Sequence, residues 1–480
     1  MVPIIKQLIE TTFIAGEGNE TTLQQQLHAR LRSAILEGTL EAGTKLPASR
    51  AFAVQQAVSR NTVLAAYDQL VAEGYLETRR GAGTYVAHDL PDAFIKLDTS
   101  LAAPSLSPQQ TKKRVPQTGL PAIDAFPTDV WARLNSSAWR QADLETLHYN
   151  DPMGYRPLRG AIASYLASAR NVQSSADQIL ITSGLQQGLR LIIDSLLNDQ
   201  NNIILEDPGY DGLLRTARAC SPTVSFTQLD DAGACVPSTK SQNSLLVISP
   251  SHQYPLGITM PTARRLALIN WAQETNSLIL EDDYDSEFRY RGRPLNSLQG
   301  MSGGEQIIYG GSFSKSMFPS LRLGYLVLPP HLVSQVTQQR EATDSFPSIM
   351  PQLALTKFIS EGHFARHIRR LRKLHAIRQQ CYIRCFQSKL CQYFTLIPSS
   401  AGLDLVARGT EKLKNSPFNC DKFWANAIQK SGLSALPLSK LYRCTEPIKG
   451  LLLGFANFPE DKIETATDKL AQIMLSETGF

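Results

Sequence analysis

The chain has 480 residues, 42% hydrophobic and 19% charged, with 48 Lys and Arg against 43 Asp and Glu and a formal net charge of +5. This length is too great for one compact core and predicts a small unit plus a large one, in the composition of a soluble globular protein; the mild positive excess permits contact with an anionic polymer without requiring it. Seven cysteines, an odd number scattered along the chain, argue against a disulfide framework and for reduced thiols.

The opening run, Met1 to Ile14, is apolar but too short for a membrane span, is broken by Lys6 and Glu10, and has no convincing small-residue cleavage site. A cytoplasmic location is expected. Residues 21–88 are predicted to form the first module. Thr22 is a helix cap for a run with apolar Leu27, Leu31, Ile35 and Leu36 at helical spacing, stopped by Gly38. After Pro47, Ser49 is the expected cap of a short second helix through about Gln55, a tight bend covers 56–58, and Ser59 caps a third helix. Ala57 stands in the bend where glycine is common. Gly74 ends the third helix, and Tyr75 to Thr78 with Thr84 to Ala87 read as the strands of a hairpin wing around Arg79, Arg80, Gly81 and Gly83.

This is a winged helix-turn-helix pattern. The third helix would enter the DNA major groove with Ser59, Arg60, Asn61 and Thr62 at its N-terminal end, and Arg50, Arg79 and Arg80 would hold the phosphate backbone. The competing reading is a helical protein-docking module with solvated arginines. The Leu-Pro-Ala-Ser-Arg and Ser-Arg-Asn-Thr-Val runs resemble the DNA-binding domain of the GntR family of bacterial regulators over nearly seventy residues.

Residues 89–119 turn irregular, with Pro91, Pro104, Pro108 and Pro116 among polar residues, and are expected to be a linker. Its small basic run, Lys112, Lys113 and Arg114, is either hydrated or in contact with DNA. From 120 to 480 strands alternate with helices: Ile179 to Thr182, Ile203 to Glu206, Leu245 to Ser249, Leu278 to Glu281, Ile307 to Gly310 and Tyr325 to Leu328 are candidate strands, and Pro261 to Glu274 a candidate helix. That is an α/β domain, which places ligands in the loops at strand ends.

The distinctive residues fall in those loops. Lys315 comes after a buried-looking strand in Ser312-Phe313-Ser314-Lys315, and a lysine amine condenses with an aldehyde. A pyridoxal phosphate site needs such a lysine, an acid facing the pyridinium nitrogen and donors around the phosphate. Asp282 or Asp283 is the candidate acid, Tyr284 the partner of the ring hydroxyl. Ser183 and Gly184 offer backbone donors and a helix dipole to the phosphate, and Ser312 and Arg322 add a hydroxyl and a planar cation. Each residue alone has an ordinary structural explanation; their joint order is what points to a cofactor.

That order resembles the fold-type I aminotransferases over nearly all of Leu120 to Phe480, and with the GntR-like front the whole chain resembles the MocR subfamily, regulators that use an aminotransferase-like domain as sensor. The resemblance implies a large α/β pyridoxal 5'-phosphate-dependent transferase domain with a smaller C-terminal α+β subdomain. It makes Lys315 the Schiff-base lysine, pairs Asp282 with the pyridine nitrogen, places Tyr284 by the ring hydroxyl and stacks Tyr210 on the ring. Ser183, Gly184, Ser312 and Arg322 match the phosphate cup, and Tyr149 matches a position that reaches into a neighbouring subunit's site, so a homodimer is implied. Double-stranded operator DNA and a small-molecule effector, the cofactor itself or an amine or amino acid, are the other expected partners.

Two departures bear on function. The asparagine that usually contacts the ring hydroxyl is missing from Ser251-His252-Gln253-Tyr254-Pro255-Leu256-Gly257, leaving Gln253 or His252 to replace it. The arginine that grips an amino acid carboxylate is replaced by Leu452, with Arg443 the nearest substitute in sequence. A sensor with little or no turnover is therefore expected, against an active aminotransferase with a vestigial DNA-binding module, or a cofactor-free DNA-binding protein. No metal site is expected: Cys381, Cys385 and Cys391, near His375, read as helix packing.

Overall fold

The computed structural model describes residues 22–79, 81–90, 118–198, 201–220, 223–238, 242–290, 295–397 and 399–479. Arg80 and most of the expected linker, including Lys112, Lys113 and Arg114, lie outside the described residues. The chain divides into two compact units, Met1–Thr111 and Lys112–Phe480.

In the first unit, α1 (Leu23–Leu36) starts at a capping box in which the Thr22 hydroxyl accepts from the Gln25 amide and the Gln25 side chain accepts from the Thr22 amide. The second helix, α2 (Ser49–Gln55), corrects an expectation: Ser49 is its first helical residue, and Ala48, held extended after Pro47, stands at the cap without a side-chain bond. Ala57 takes the left-handed conformation, φ 53°, that a glycine would adopt without cost, and the bend closes through the Val58 amide onto the Ala53 carbonyl at 3.1 Å. Ser59 then caps α3 (Arg60–Ala72), its Oγ accepting from the Thr62 amide at 3.1 Å.

The wing strands β1 (Leu76–Arg79) and β2 (Gly83–Val86) start and end one residue away from the expected ranges. Tyr75 drops out of the first strand because its amide closes the end of α3 on the Leu70 carbonyl. Leu27, Leu31, Phe52, Val63, Ala66, Leu70 and Val86 form one core under the three helices and the wing.

In the second unit an eight-stranded sheet has the order β3-β10-β9-β8-β7-β4-β5-β6. These are β3 (Ile179–Thr182), β4 (Ile203–Asp207), β5 (Val224–Asp230), β6 (Gly233–Ala234), β7 (Leu245–Ile248), β8 (Leu278–Asp283), β9 (Ile307–Ser312) and β10 (Gly324–Val327). The strands β5, β4, β7, β8 and β9 run parallel, whereas β10 is antiparallel to both β9 and β3. Continuous apolar runs in β3 and β7 fit strands buried on both faces. The helices of this unit include α4 (Leu185–Leu196), α5 (Thr262–Glu274), α6 (Phe313–Ser316), α7 (His363–Lys389) and α8 (Glu460–Thr478). The expected helix from Pro261 begins at Thr262, with Pro261 as its cap.

The strands β8 and β9 run two residues further than the sequence patterning suggests, because Asp282 and Asp283 pair with Gly310 and Gly311. Those glycines are needed for packing: a Cβ on Gly310 would stand 2.4 Å from the Leu185 Cδ1, and one on Gly311 2.3 Å from the Tyr325 ring. A second, antiparallel sheet of four strands comes next in the order β11-β12-β14-β13, with β11 (Phe394–Ile397), β12 (Asp404–Gly409), β13 (Ser434–Pro437) and β14 (Gly450–Gly454). With α7 and α8 it forms the smaller C-terminal α+β part.

Cys381 and Cys385 are buried within α7, but Cys391 lies beyond its end and is exposed, not packed in a helix as expected. Cys381, Cys385 and Glu464 bring three potential ligand atoms within 4.8 Å of one another. A cation already sits there: Arg384 donates to Glu464 at 3.0 Å and lies 3.7 Å from the Cys381 sulfur. His375 takes no part, its Nε2 accepting from the Ala122 amide. No described helix is long and apolar enough to cross a membrane.

Candidate functional site

The ends of β3, β8 and β9 open on a cleft of about 1760 Å³ in the second unit. Side chains alternate along a strand, so the acidic end of β8 divides between two faces. Asp282 lines the cleft. Asp283 points the other way, into the core, where it accepts from Arg170 Nε at 2.7 Å, from Ser286 and from the Tyr309 hydroxyl. The residue pattern left the two acids open and the resemblance implied Asp282; register turns Asp282, and not Asp283, to the cleft.

No described residue donates to the Asp282 carboxylate. Burial, with Asp283, Glu206 and Asp285 nearby, raises its pKa well above the ordinary carboxylate range, while Lys315 pulls the other way. A half-buried acid short of a partner fits a cation brought by a ligand. Tyr284, two residues on, also lines the cleft, and its hydroxyl lies 3.1 Å from His252 Nδ1, which is 2.8 Å from Asp285 Oδ2. Burial alone would lower the His252 pKa, but the Asp285 carboxylate outweighs it and raises that pKa above the ordinary value.

Lys315 reaches the cleft because β9 stops at Ser312 and the single turn α6 begins there, with the Ser312 Oγ accepting from the Ser314 amide at 3.1 Å. The Lys315 ammonium donates to the Gly119 carbonyl at 2.6 Å, and the Gly119 amide donates to Asp404 Oδ1 at 2.6 Å. Gly119, expected as the last linker residue, therefore forms part of the cleft wall. A Cβ on it would stand 2.8 Å from the Lys315 amine and 3.4 Å from Asp404 Oδ2, and its φ of 69° favours glycine in any case.

At the other end, Gly184 begins α4 with φ 132° and no side-chain cap, so the positive end of that helix faces the cleft through Gly184, Leu185 and Gln186. Arg322, in the left-handed conformation at φ 53°, brings its guanidinium within 3.6 Å of where a Gly184 side chain would begin. Ser183 is not part of the lining, and its amide is taken by the Gln187 side chain at 2.6 Å. Tyr210, 45% exposed, borders the cleft and packs edge-on against Tyr254.

Two candidates, Gln253 and Arg443, meet a different arrangement. Gln253 does not face the cleft: it is buried, its Nε2 donates to the Pro208 carbonyl at 3.0 Å and its Oε1 accepts from the Leu256 amide, so it braces its own loop, and His252 is the residue that reaches Tyr284. Arg443 is committed elsewhere, donating to Asp211 at 2.7 Å and to the Lys440 and Tyr442 carbonyls. Leu452 is buried in an apolar cluster with Val406, Leu438 and Leu441. Tyr149 is 80% exposed beside Phe346.

In the first unit Arg50, Ser59, Arg60 and Asn61 are exposed, with Thr62 half-buried beneath them. Arg79 is exposed as well, paired with Glu77 at 2.6 Å and lying over the Tyr85 ring. Sequence reasoning missed Asp404, Gly119 and the His252–Asp285 pair. Asp404 stood in an apolar strand run, where a lone acid is the available signal.

The family model for class I and II aminotransferases matches residues 122–470, and that for bacterial regulatory proteins of the gntR family matches residues 23–86. The chain is 35% identical over 472 residues to the probable rhizopine catabolism regulatory protein MocR of Rhizobium meliloti, covering 95% of this chain and 94% of that one. It is 30% identical over 456 residues to the pyridoxine biosynthesis transcriptional regulator PdxR of Corynebacterium glutamicum, covering 92% and 94%. Its fold matches the kynurenine aminotransferase of Pyrococcus horikoshii with a TM-score of 0.66 at 24% identity, over 75% of this chain and 90% of that one. The chain therefore belongs to the MocR-like regulators of the GntR family, in which a DNA-binding winged helix-turn-helix precedes a pyridoxal phosphate domain of the class I and II aminotransferase family.

Proposed function

We propose that this regulator is a cytoplasmic homodimer that reads the occupancy of its cleft, by pyridoxal phosphate and by a further amine, as a change in operator binding. The observation that carries the reading is the convergence of Lys315, Asp282, Tyr284 and Arg322 on one cleft, while Arg443, the substitute carboxylate grip nearest to Leu452 in sequence, is tied to Asp211.

Bound pyridoxal phosphate supplies an aldehyde that reacts with primary amines and a ring that withdraws electrons. Lys315 would hold it covalently through its amine. Asp282 would keep the ring nitrogen protonated, relieving its own unpaired burial. Tyr284, steadied by His252, would orient the ring hydroxyl, Tyr210 would cover a ring face, and Arg322 with the start of α4 would hold the phosphate. Ser312 positions the turn that carries Lys315 by capping it. The buried Leu452 leaves an α-carboxylate without its usual guanidinium, which favours sensing over amino acid transamination.

On the DNA side, the Ser59-capped end of α3 would present Arg60 and Asn61 to the major groove, with Arg50 and Arg79 on phosphates. Switching requires that the ligand bind the DNA-competent and DNA-incompetent arrangements with different affinities, a coupling of about 1–3 kcal/mol in typical cases. The test is Lys315→Ala in the full chain. The visible absorbance gained on adding pyridoxal phosphate, and the effect of the cofactor on operator binding, are both expected to vanish while operator binding itself persists. A variant with the wild-type visible spectrum overturns the reading.

A further inference from the structure

Apart from the exposed Asp461 at its rim, the cleft lining holds one acid to which the cofactor reading gives no counter-charge. Arg322 would face the phosphate, Asp282 the ring nitrogen and Lys315 the aldehyde, and Asp285 is already paired with His252 at 2.8 Å. Asp404, at the start of β12, remains. Its Oδ1 accepts from the Gly119 amide at 2.6 Å, and no described residue donates to its Oδ2, which faces the same space beside Gly119 as the Lys315 amine. In the cofactor-free chain the Lys315 ammonium is the first of two cations that favour the Asp404 carboxylate, with His252, already held by Asp285, the lesser one. Once that amine is committed to the cofactor aldehyde, it no longer offers Asp404 a free ammonium, and the open Oδ2 is left to a cation brought by a ligand.

The rest of the cleft gives little to an anion at that end. Leu452 closes the neighbouring wall with Val406, Tyr254 and Leu256, and Arg443 is held by Asp211. The other lysines of the lining, Lys462 and Lys469, stand exposed on α8 at the cleft's rim.

We propose that the effector is a short diamine, with one amine beside Lys315 and a second, charged amine held by Asp404. This rests on the cofactor reading of the cleft and names the ligand class of the same site. A charge-assisted contact with a half-buried carboxylate selects for the second ammonium, and a carboxylate in its place meets like charge at Asp404.

The experiment loads the full chain with pyridoxal phosphate and measures, by calorimetry, the binding of three probes of matched length: propane-1,3-diamine, propylamine and 3-aminopropanoate. The diamine is expected to bind at least about tenfold more tightly than either of the others. Asp404→Asn should bring the three within about twofold of one another, and Asp404→Glu, which keeps the acid should the amide variant fold poorly, should retain the preference. Equal or tighter binding of 3-aminopropanoate, no diamine binding at all, or a preference that survives Asp404→Asn overturns the proposal. Loading is monitored by the visible band, so a chain that acquires no band overturns the cofactor reading itself, whereas a loaded chain without the diamine preference overturns the choice of effector alone.

Discussion

In the N-terminal unit the polar residues expected to meet a ligand, Arg50, Ser59, Arg60 and Asn61, stand on the surface, whereas in the C-terminal unit Asp282 and Asp404 are drawn into a cleft and Glu206, Glu281 and Asp283 lie behind it in the sheet. Surface groups keep their hydration until DNA arrives, so folding is indifferent to them and binding gains from the counterions they displace. Buried acids carry a desolvation cost from the moment the chain folds, and the ligand that supplies the missing charge relieves it. One unit stores its specificity in position, held by caps and a tight bend. The other stores it in electrostatic imbalance.

The most severe test of this contrast is to create an imbalance where the fold has none. Arg170 donates to Asp283, to the Leu295 carbonyl at 2.5 Å and to Ser251 at 2.6 Å, with both ionic partners nearly excluded from solvent. Arg170→Met should cost about 3 kcal/mol or more, because it leaves Asp283 buried with its charge unbalanced. Urea unfolding monitored by tertiary fluorescence checks this; a loss under about 1 kcal/mol would mean that Tyr309 and Ser286 suffice to satisfy the acid.

A second effect comes from pH. Burial pushes Glu206, Glu281 and Glu287 up to about 7 and Asp404 up to about 6, and Asp285 raises His252 despite its burial. Each of these groups binds its proton more tightly folded than unfolded. Their stabilisation is complete below the ordinary values, 4.5 and 3.8 for the acids and 6.5 for the histidine, and is lost as the pH rises through the raised ones. Burial lowers His367 to about 4 and His375 to about 3, which works the other way below the ordinary 6.5. The urea midpoint of the cofactor-free chain should therefore fall most clearly between about pH 6.5 and pH 8. A midpoint that climbs over that window would show these acids to be ionised and paired in the folded chain.

The mildest change lies on the surface of the other unit. Arg60→Ala should weaken operator binding by about 1–3 kcal/mol, read by fluorescence anisotropy at fixed salt, while leaving unfolding and the cofactor spectrum as they are. A shift in the unfolding midpoint would show that Arg60 supports the fold rather than the DNA contact.

Much of this was legible in the chain because the signals are local. Caps at Thr22 and Ser59, the wing glycines and the short apolar strands depend on a few neighbouring residues, and the structure keeps them to within a residue or two. Ser49 misled for the same local reason: it is a good capping residue, but the extended Pro47-Ala48 pair starts the helix one position earlier. Gln253 misled for a different one. Its loop needed a buried side chain to satisfy the nearby Leu256 amide and the Pro208 carbonyl, and the second of these lies 45 positions away in sequence.

The order of residues alone specified a winged helix-turn-helix ahead of an α/β domain and the lysine on which a cofactor reading turns, since periodicity, capping and loop chemistry act over short stretches. Folding in three dimensions was needed to turn Asp282 to the cleft and Asp283 to the core, to bring Gly119 against Lys315 across 196 positions of sequence, and to leave Asp404 short of a second donor. Strand register and burial settle those questions, and both are properties of partners brought together from far apart in the chain.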